Sequence, residues 1–241
     1  MKQDNLAKAA RDEIVSKLTT LAEPDPKFKE FSKKIINTPS NIIGVKIPNL
    51  RKFAKIVAKE YGEDCWQLLL QNGQQSFEET TLAGLVMAGA KDISAASNNL
   101  VAFCPHINNW ATCDVVCSTF KVFSKDKSNA YIGKFIALAK SEQEFTARVG
   151  LVMLMDYYLK PETIGDVLDC VANLANHAYY VDMAAAWLLS VAVIKCPQPA
   201  IELIKGQTLS QFVQNKAISK CQDSYRVSGE LKAELKRYRI Y

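Results

Sequence analysis

Trp110 and Asp114 stand four residues apart in the segment Ile107-Asn108-Asn109-Trp110-Ala111-Thr112-Cys113-Asp114. On a helix, positions i and i+4 share a face, so an indole and a carboxylate can address the same ligand. The indole offers a π-face to a cation. The carboxylate offers negative charge and a base for water. Such a pair suits a substrate that is, or becomes, positively charged. Taken alone, the same two residues also fit a core Trp beside a helix-start Asp. A second aromatic run, Tyr179-Tyr180-Val181-Asp182-Met183-Ala184-Ala185-Ala186-Trp187, follows.

Helices must position these groups. Apolar residues recur at spacings of three and four, as in Leu82, Leu85 and Val86, or Val149, Val152 and Met153. The pattern predicts helices over 6–21, 28–36, 48–61, 65–70, 77–90, 94–103 and 110–123. It continues over 129–139, 145–159, 161–173, 178–195, 199–204, 210–220 and 228–238. Pro48, Pro161 and Pro199 read as helix starts, and Pro24, Pro26 and Pro39 as loops. Gly44, Gly62, Gly73 and Gly206 fall between runs, and period-two strand patterns are absent. The expectation is one all-α domain over 1–241. Helix pairs recur about every 35 to 40 residues, near the period of HEAT and armadillo units. Degenerate repeats of this kind stack into an α-α superhelix with a concave face for an extended ligand: a nucleic acid duplex, a peptide or another protein.

The chain has 241 residues, 49% apolar and 23% charged, with a net charge of +5. That mild basicity permits an anionic partner without demanding one. The stretch Lys232 to Arg239 is enriched in basic residues, and such a run also reads as a solvated helix end. Seven Cys are scattered, without a CxxC pair, and Cys113-x3-Cys117 lacks a second ligand pair. His106 and His177 lie far apart. Buried free thiols in a reducing compartment are expected, with no metal and no cofactor. Met1-Lys2-Gln3-Asp4-Asn5 carries no apolar signal core, and the run Met183 to Ile194 is too short to span a bilayer. The expectation is a soluble, cytoplasmic protein with no membrane partner.

Four segments, in order, resemble the AlkD-type DNA alkylation repair family of HEAT-like DNA glycosylases. Gly44-Val45-Lys46-Ile47-Pro48-Asn49-Leu50-Arg51 resembles its Gly-[Ile/Val]-x-x-Pro-x-x-Arg opening of an early helix. Asn109 to Asp114 matches its Trp-x3-Asp. Glu144-Phe145-Thr146-Ala147-Arg148-Val149-Gly150 carries the Arg that opens a central helix, and Tyr179 to Trp187 ends in the second family Trp. The resemblance runs from about Phe31 to Tyr225 and implies a concave DNA-binding face. It implies excision of positively charged N3- or N7-alkylated purines from duplex DNA, by a monomer, without turning the lesion into a pocket. In that reading Trp110 and Trp187 cradle the sugar, and Asp114 stabilises charge and orients water. Arg148 holds a phosphate, and Tyr180 is the aromatic that precedes the second Trp. Phosphate contacts fall to Lys46, Arg51, Lys52, Arg148, Lys216 and Arg226. Each of these alone reads equally as a solvated surface charge.

Two departures stand out. Ser190 occupies a position, three after the second Trp, that is basic in catalytic members. Phe31 replaces an early Tyr, so it can stack but lacks a hydroxyl. A noncatalytic member that binds branched or distorted DNA, and a helical-repeat scaffold for a protein partner, are the other readings.

Overall fold

The computed structural model describes residues 2–71 and 75–241, with side chains from Leu6 onward. Fourteen α-helices and no strand occur among the described residues. They are α1 (Lys2–Thr20), α2 (Pro26–Ile36), α3 (Ile47–Tyr61), α4 (Trp66–Leu69), α5 (Phe77–Met87), α6 (Ile93–Phe103) and α7 (Trp110–Cys117). The remainder are α8 (Ile132–Ala139), α9 (Glu144–Tyr157), α10 (Ile164–Ala172), α11 (Tyr179–Lys195), α12 (Pro197–Gly206), α13 (Gln211–Asp223) and α14 (Gly229–Lys236). The all-α class expected from periodicity is thus the class observed.

Side-chain caps set many of the starts. Asp25 accepts from the Lys27 amide at 2.9 Å and begins α2. Ser76 and Glu79 form a reciprocal capping box on α5. Asp92, Asn109, Ser210 and Ser228 cap α6, α7, α13 and α14. Each supplies an acceptor to an otherwise orphaned first-turn N–H.

Several boundaries differ from the periodic pattern, for local reasons. Pro26 is the first residue of α2 rather than part of a loop, because the Asp25 cap precedes it. Pro161 does not open α10. The Thr163 amide instead donates to Lys160 O and its hydroxyl to Tyr158 O, a turn that delays the helix to Ile164. The predicted run 110–123 ends at Cys117, because the Ser118 and Thr119 hydroxyls both turn back onto Val115 O. Gly206 closes α12, and Gln207 takes the left-handed conformation after it. Gly73 lies outside the described residues.

Contacts divide the chain into two compact units, 1–125 and 126–241. In the first, α3 packs on α5 and α5 on α7, with α4 and α6 against α5 and α1 against α3 and α4. In the second, α9, α11 and α13 stack in order, and α8, α10, α12 and α14 form a second row. The stacked helices start at Ile47, Phe77, Trp110, Glu144, Tyr179 and Gln211, a recurrence of about 30 to 35 residues. Helices flanked on both sides are buried on most of their surface. Every residue of α5 is buried, as is α9 from Ala147 to Met155. Among the described residues no helix is long and apolar enough to cross a membrane. All seven thiols are buried, and burial pushes Cys104 up to about 12 and Cys65 and Cys221 up to about 11.

Two features of the second unit give measurable expectations. A Cβ on Gly150 would meet the Ala139 backbone nitrogen and lie 2.6 Å from Phe135 O, so α8 and α9 touch backbone to backbone there. Gly150→Ala should therefore lower stability by about 3 kcal/mol in urea unfolding, since no flexible side chain can yield. A midpoint unchanged from the parent would refute that close contact.

Asp126 starts this unit almost fully buried. It accepts from Tyr158 Oη and Ser128 Oγ, each at 2.9 Å, and from the amides of Ala130 and Tyr131 at 3.4 Å. Burial opposes its charge, but these hydrogen bonds prevail and hold its pKa below the usual value. A lowered folded pKa stabilises above the unfolded pKa of about 3.9, and that stability fades as pH falls through the folded value. Asp126→Asn should lose stability at pH 6 and show a smaller further loss than the parent between about pH 4 and pH 2. Parallel pH profiles of the urea midpoint would rule this out.

Candidate functional site

The site in the first unit rests on a buried carboxylate. Glu78, 1% exposed on α5, accepts from the Ile43 amide at 2.8 Å, from Gly44 at 2.7 Å and from Val45 at 3.1 Å. Gly44 has φ 104, a conformation that L side chains rarely adopt and that lets successive amides converge on one anion. The Phe77 amide returns to Asn41 O at 2.8 Å, so the loop is tied to α5 from both directions. With Pro48 in its first turn, α3 leaves this loop at a set angle. Its Arg51 then reaches the end of α7. Nη2 donates to Val115 O at 3.1 Å and Ser118 Oγ at 3.2 Å, and Nη1 donates to Thr119 Oγ1. The Gly44-to-Arg51 motif thus works as a bracket from α5 to the C-terminal end of α7.

The other end of α7 is held by amides and hydroxyls. Asn109 Oδ1 accepts from the Thr112 amide at 2.8 Å, and Thr112 Oγ1 lies 3.0 Å from Thr81 Oγ1 on α5. Asn108 donates to Ser40 Oγ at 3.0 Å and accepts from Thr38 Oγ1 at 3.0 Å. Trp110 is half-buried against Ile36, Ile42, Phe77 and Ala111, with Ile47 beside it. Its Nε1 donates to Ile35 O at 3.3 Å. The only donor of the ring is therefore committed inward, and what it can present outward is π surface. Asp114, one turn on along α7, is half-buried too. Phe31, one turn before Ile35 on α2, is 61% exposed.

The second unit places its groups by a comparable device. Glu144, first residue of α9, accepts from the Tyr180 amide at 2.8 Å. Arg148, one turn later and 5% exposed, donates from Nη1 to Tyr180 O at 2.9 Å, with its guanidinium carbon 5.9 Å from the Tyr180 ring centre. The start of α11 is thus gripped by both polar groups of one residue. The Tyr180 ring stacks on Phe145 at 5.3 Å and meets Tyr179 edge-on at 5.1 Å, and Tyr179 meets Phe212 of α13 at 6.0 Å. Tyr179 is 59% exposed, so this row of rings reaches solvent. Further along α11, Trp187 is half-buried, with Lys220 Nζ 6.0 Å from its ring centre. Ser190 is buried and donates to Trp187 O at 2.7 Å, so it turns into its own helix. The cation near Trp187 comes from α13 instead.

The remaining predicted residues are placed as follows. Lys46 precedes α3, pairs with Glu23 at 2.9 Å and lies 5.7 Å from the Phe28 ring centre. Lys52 is exposed on α3, and Lys216 is half-buried one turn beyond Phe212. Arg226 is exposed in the turn before α14. Within the first unit Trp110, Asp114 and Arg51 meet on or against α7. Within the second, Arg148, Tyr180, Trp187 and Lys216 lie on the stacked helices α9, α11 and α13, and Arg226 stands apart. Sequence reading missed Glu78, Glu144, Lys220 and the Tyr179–Phe212 contact. Ser76-x-x-Glu79 reads as a capping box, which makes Glu78 look like a second first-turn acid. Nothing in its spacing marks the distant loop it binds.

Glu78→Gln should destabilise the chain by about 2 to 4 kcal/mol, because an amide cannot replace two anionic oxygens facing three N–H donors. Urea unfolding measures this, and a loss below about 0.5 kcal/mol would show the loop to be held by other contacts.

A search among curated proteins finds no significant match. A family model described as DNA alkylation repair enzyme matches residues 15–220, which takes in the Glu78-held loop, the Trp110–Asp114 helix, the Glu144–Arg148 grip and Trp187. The chain belongs to the DNA alkylation repair enzyme family.

Proposed function

We propose that this chain is a DNA glycosylase that excises positively charged N3- or N7-alkylated purines from duplex DNA, without turning the lesion into a pocket. The observation that carries the reading is the Trp110–Asp114 pair. Both side chains are half-buried on one helix that is held at both ends, in a chain of a DNA alkylation repair family. Alkylation at a purine nitrogen makes the base cationic and a good leaving group. As the glycosidic bond lengthens, positive charge moves onto the deoxyribose. An indole face and a carboxylate both stabilise that charge, and more strongly where water is partly excluded. Asp114 then orients the water that attacks the sugar. Trp187, on α11 of the second unit, is assigned a contact with the sugar as well.

Arg148 places its charge beneath Tyr180. The more exposed cations Lys46, Lys52, Lys216 and Arg226 meet phosphates, and Arg51 supports α7. The chain acts in the cytoplasm as a monomer, on double-stranded DNA. One observation favours a second reading: Ser190 is turned inward where catalytic members carry a basic residue. A member that binds distorted DNA without cutting the glycosidic bond fits that feature.

Release of free base from a duplex containing N7-methylguanine separates the two. Asp114→Asn keeps shape but removes the charge facing the sugar cation. Its single-turnover excision should fall about 10²-fold, with duplex affinity within a few-fold of the parent. Equal rates for variant and parent would defeat the assignment of Asp114, and absence of released base from the parent would favour the noncatalytic reading.

A further inference from the structure

A groove of about 960 Å³ opens within the first unit, between α3, the end of α5 and the segment after α7. Its charged lining is Arg51, Lys55, Lys91, Lys121, Lys125 and Glu63. Five cations against one carboxylate is a far steeper excess than the chain's 30 basic to 25 acidic residues. Arg51 is engaged with the end of α7. The four lysines are exposed, and among the described residues none is in an ion pair, whereas Lys17, Lys46 and Lys205 each have a carboxylate partner. Ser118 and Thr119 line the groove, one helical turn beyond Asp114.

The local backbone argues about the kind of anion. The walls include the C-terminal ends of α5 and α7, at Ala88 and Ser118. Helix C-termini present carbonyls and partial negative charge, the reverse of a phosphate cradle. Those two helix ends offer a compact anion carbonyls rather than amides. Lysines at arm's length act as separate point charges, which suits an extended chain of phosphates rather than one bidentate group.

We propose that this groove is a second backbone subsite, holding phosphodiesters of duplex DNA beyond the lesion contact made by Trp110 and Asp114. It rests on the DNA reading above. Four dispersed cations give affinity without base or lesion preference. They therefore hold undamaged and damaged duplex alike.

The test is a triple variant, K91A/K121A/K125A, with the K91R/K121R/K125R counterpart, each checked for an unchanged thermal midpoint. Binding of undamaged duplex is followed by fluorescence anisotropy between about 50 and 200 mM salt. The alanine variant should bind about 10- to 100-fold more weakly at low salt, with a log–log salt slope smaller by about 2 to 3, near 0.9 per lost contact. The arginine variant should restore both. Single-turnover excision at saturating protein should stay within about twofold of the parent, because the contacts are uniform between ground and transition states. An unchanged slope and affinity, with a parent that binds DNA, would take the groove off the DNA whether or not the parent excises base. A parent that does not bind duplex at all overturns the DNA reading and the subsite with it. Inorganic triphosphate that binds the parent, fails to bind the alanine variant and is not displaced by duplex would assign the groove to a free polyphosphate and overturn the backbone subsite.

Discussion

The Glu78 carboxylate is the interaction on which the first unit depends. Three consecutive amides point at it, and only a backbone with a positive φ at Gly44 lets them do so. Charge-assisted bonds of this kind are short and directional, and burial makes them costly to break. The consequence passes along the chain in physical steps. The loop fixes the exit of α3, α3 aims Arg51, Arg51 takes the Val115 carbonyl, and α7 ends there. Trp110 and Asp114 sit on the short helix so defined.

The second unit reaches the same result with different residues. Glu144 and Arg148, one turn apart on α9, grip the amide and the carbonyl of Tyr180. These charges solve a problem that the apolar stack creates. Most of the buried length of α5 and α9 is apolar, and Leu, Val and Ala contacts fix separation better than register. A charge that must find its backbone partner admits one register only, since any slip leaves it buried and unpaired. Here specificity of stacking comes from a few polar groups, while the apolar area supplies cohesion.

Much of this was legible from residue types. The period of three and four located every helix, because tertiary burial of one face, or of all faces, is written in the apolar positions. The Trp110–Asp114 spacing placed both groups on one helix face. The ends of elements were less legible. The Ser118 and Thr119 hydroxyls stop α7 by turning back on Val115 O, an outcome that depends on Arg51 arriving from 64 residues away. Pro161 carried a helix-start signal that the Thr163 turn overrode. The motif Gly44 to Arg51 was visible as a motif, but its work needed Glu78, whose partner lies in another segment. Local spacing reports local geometry, and these contacts are long-range. Ser190 marked a missing cation, whereas the Lys220 ammonium near Trp187 could be found only in three dimensions.

The buried thiols have a consequence for a protein of alkylation repair. Electrophiles that methylate purine nitrogens also methylate sulfur, and the thiolate is the form that reacts. A chain with seven cysteines would ordinarily be a target for such reagents. Here all seven are shielded from solvent, and those with raised pKa, Cys104 foremost, stay protonated at neutral pH. Packing sulfur inside the helical stack thus keeps it away from electrophiles dissolved in the surrounding water.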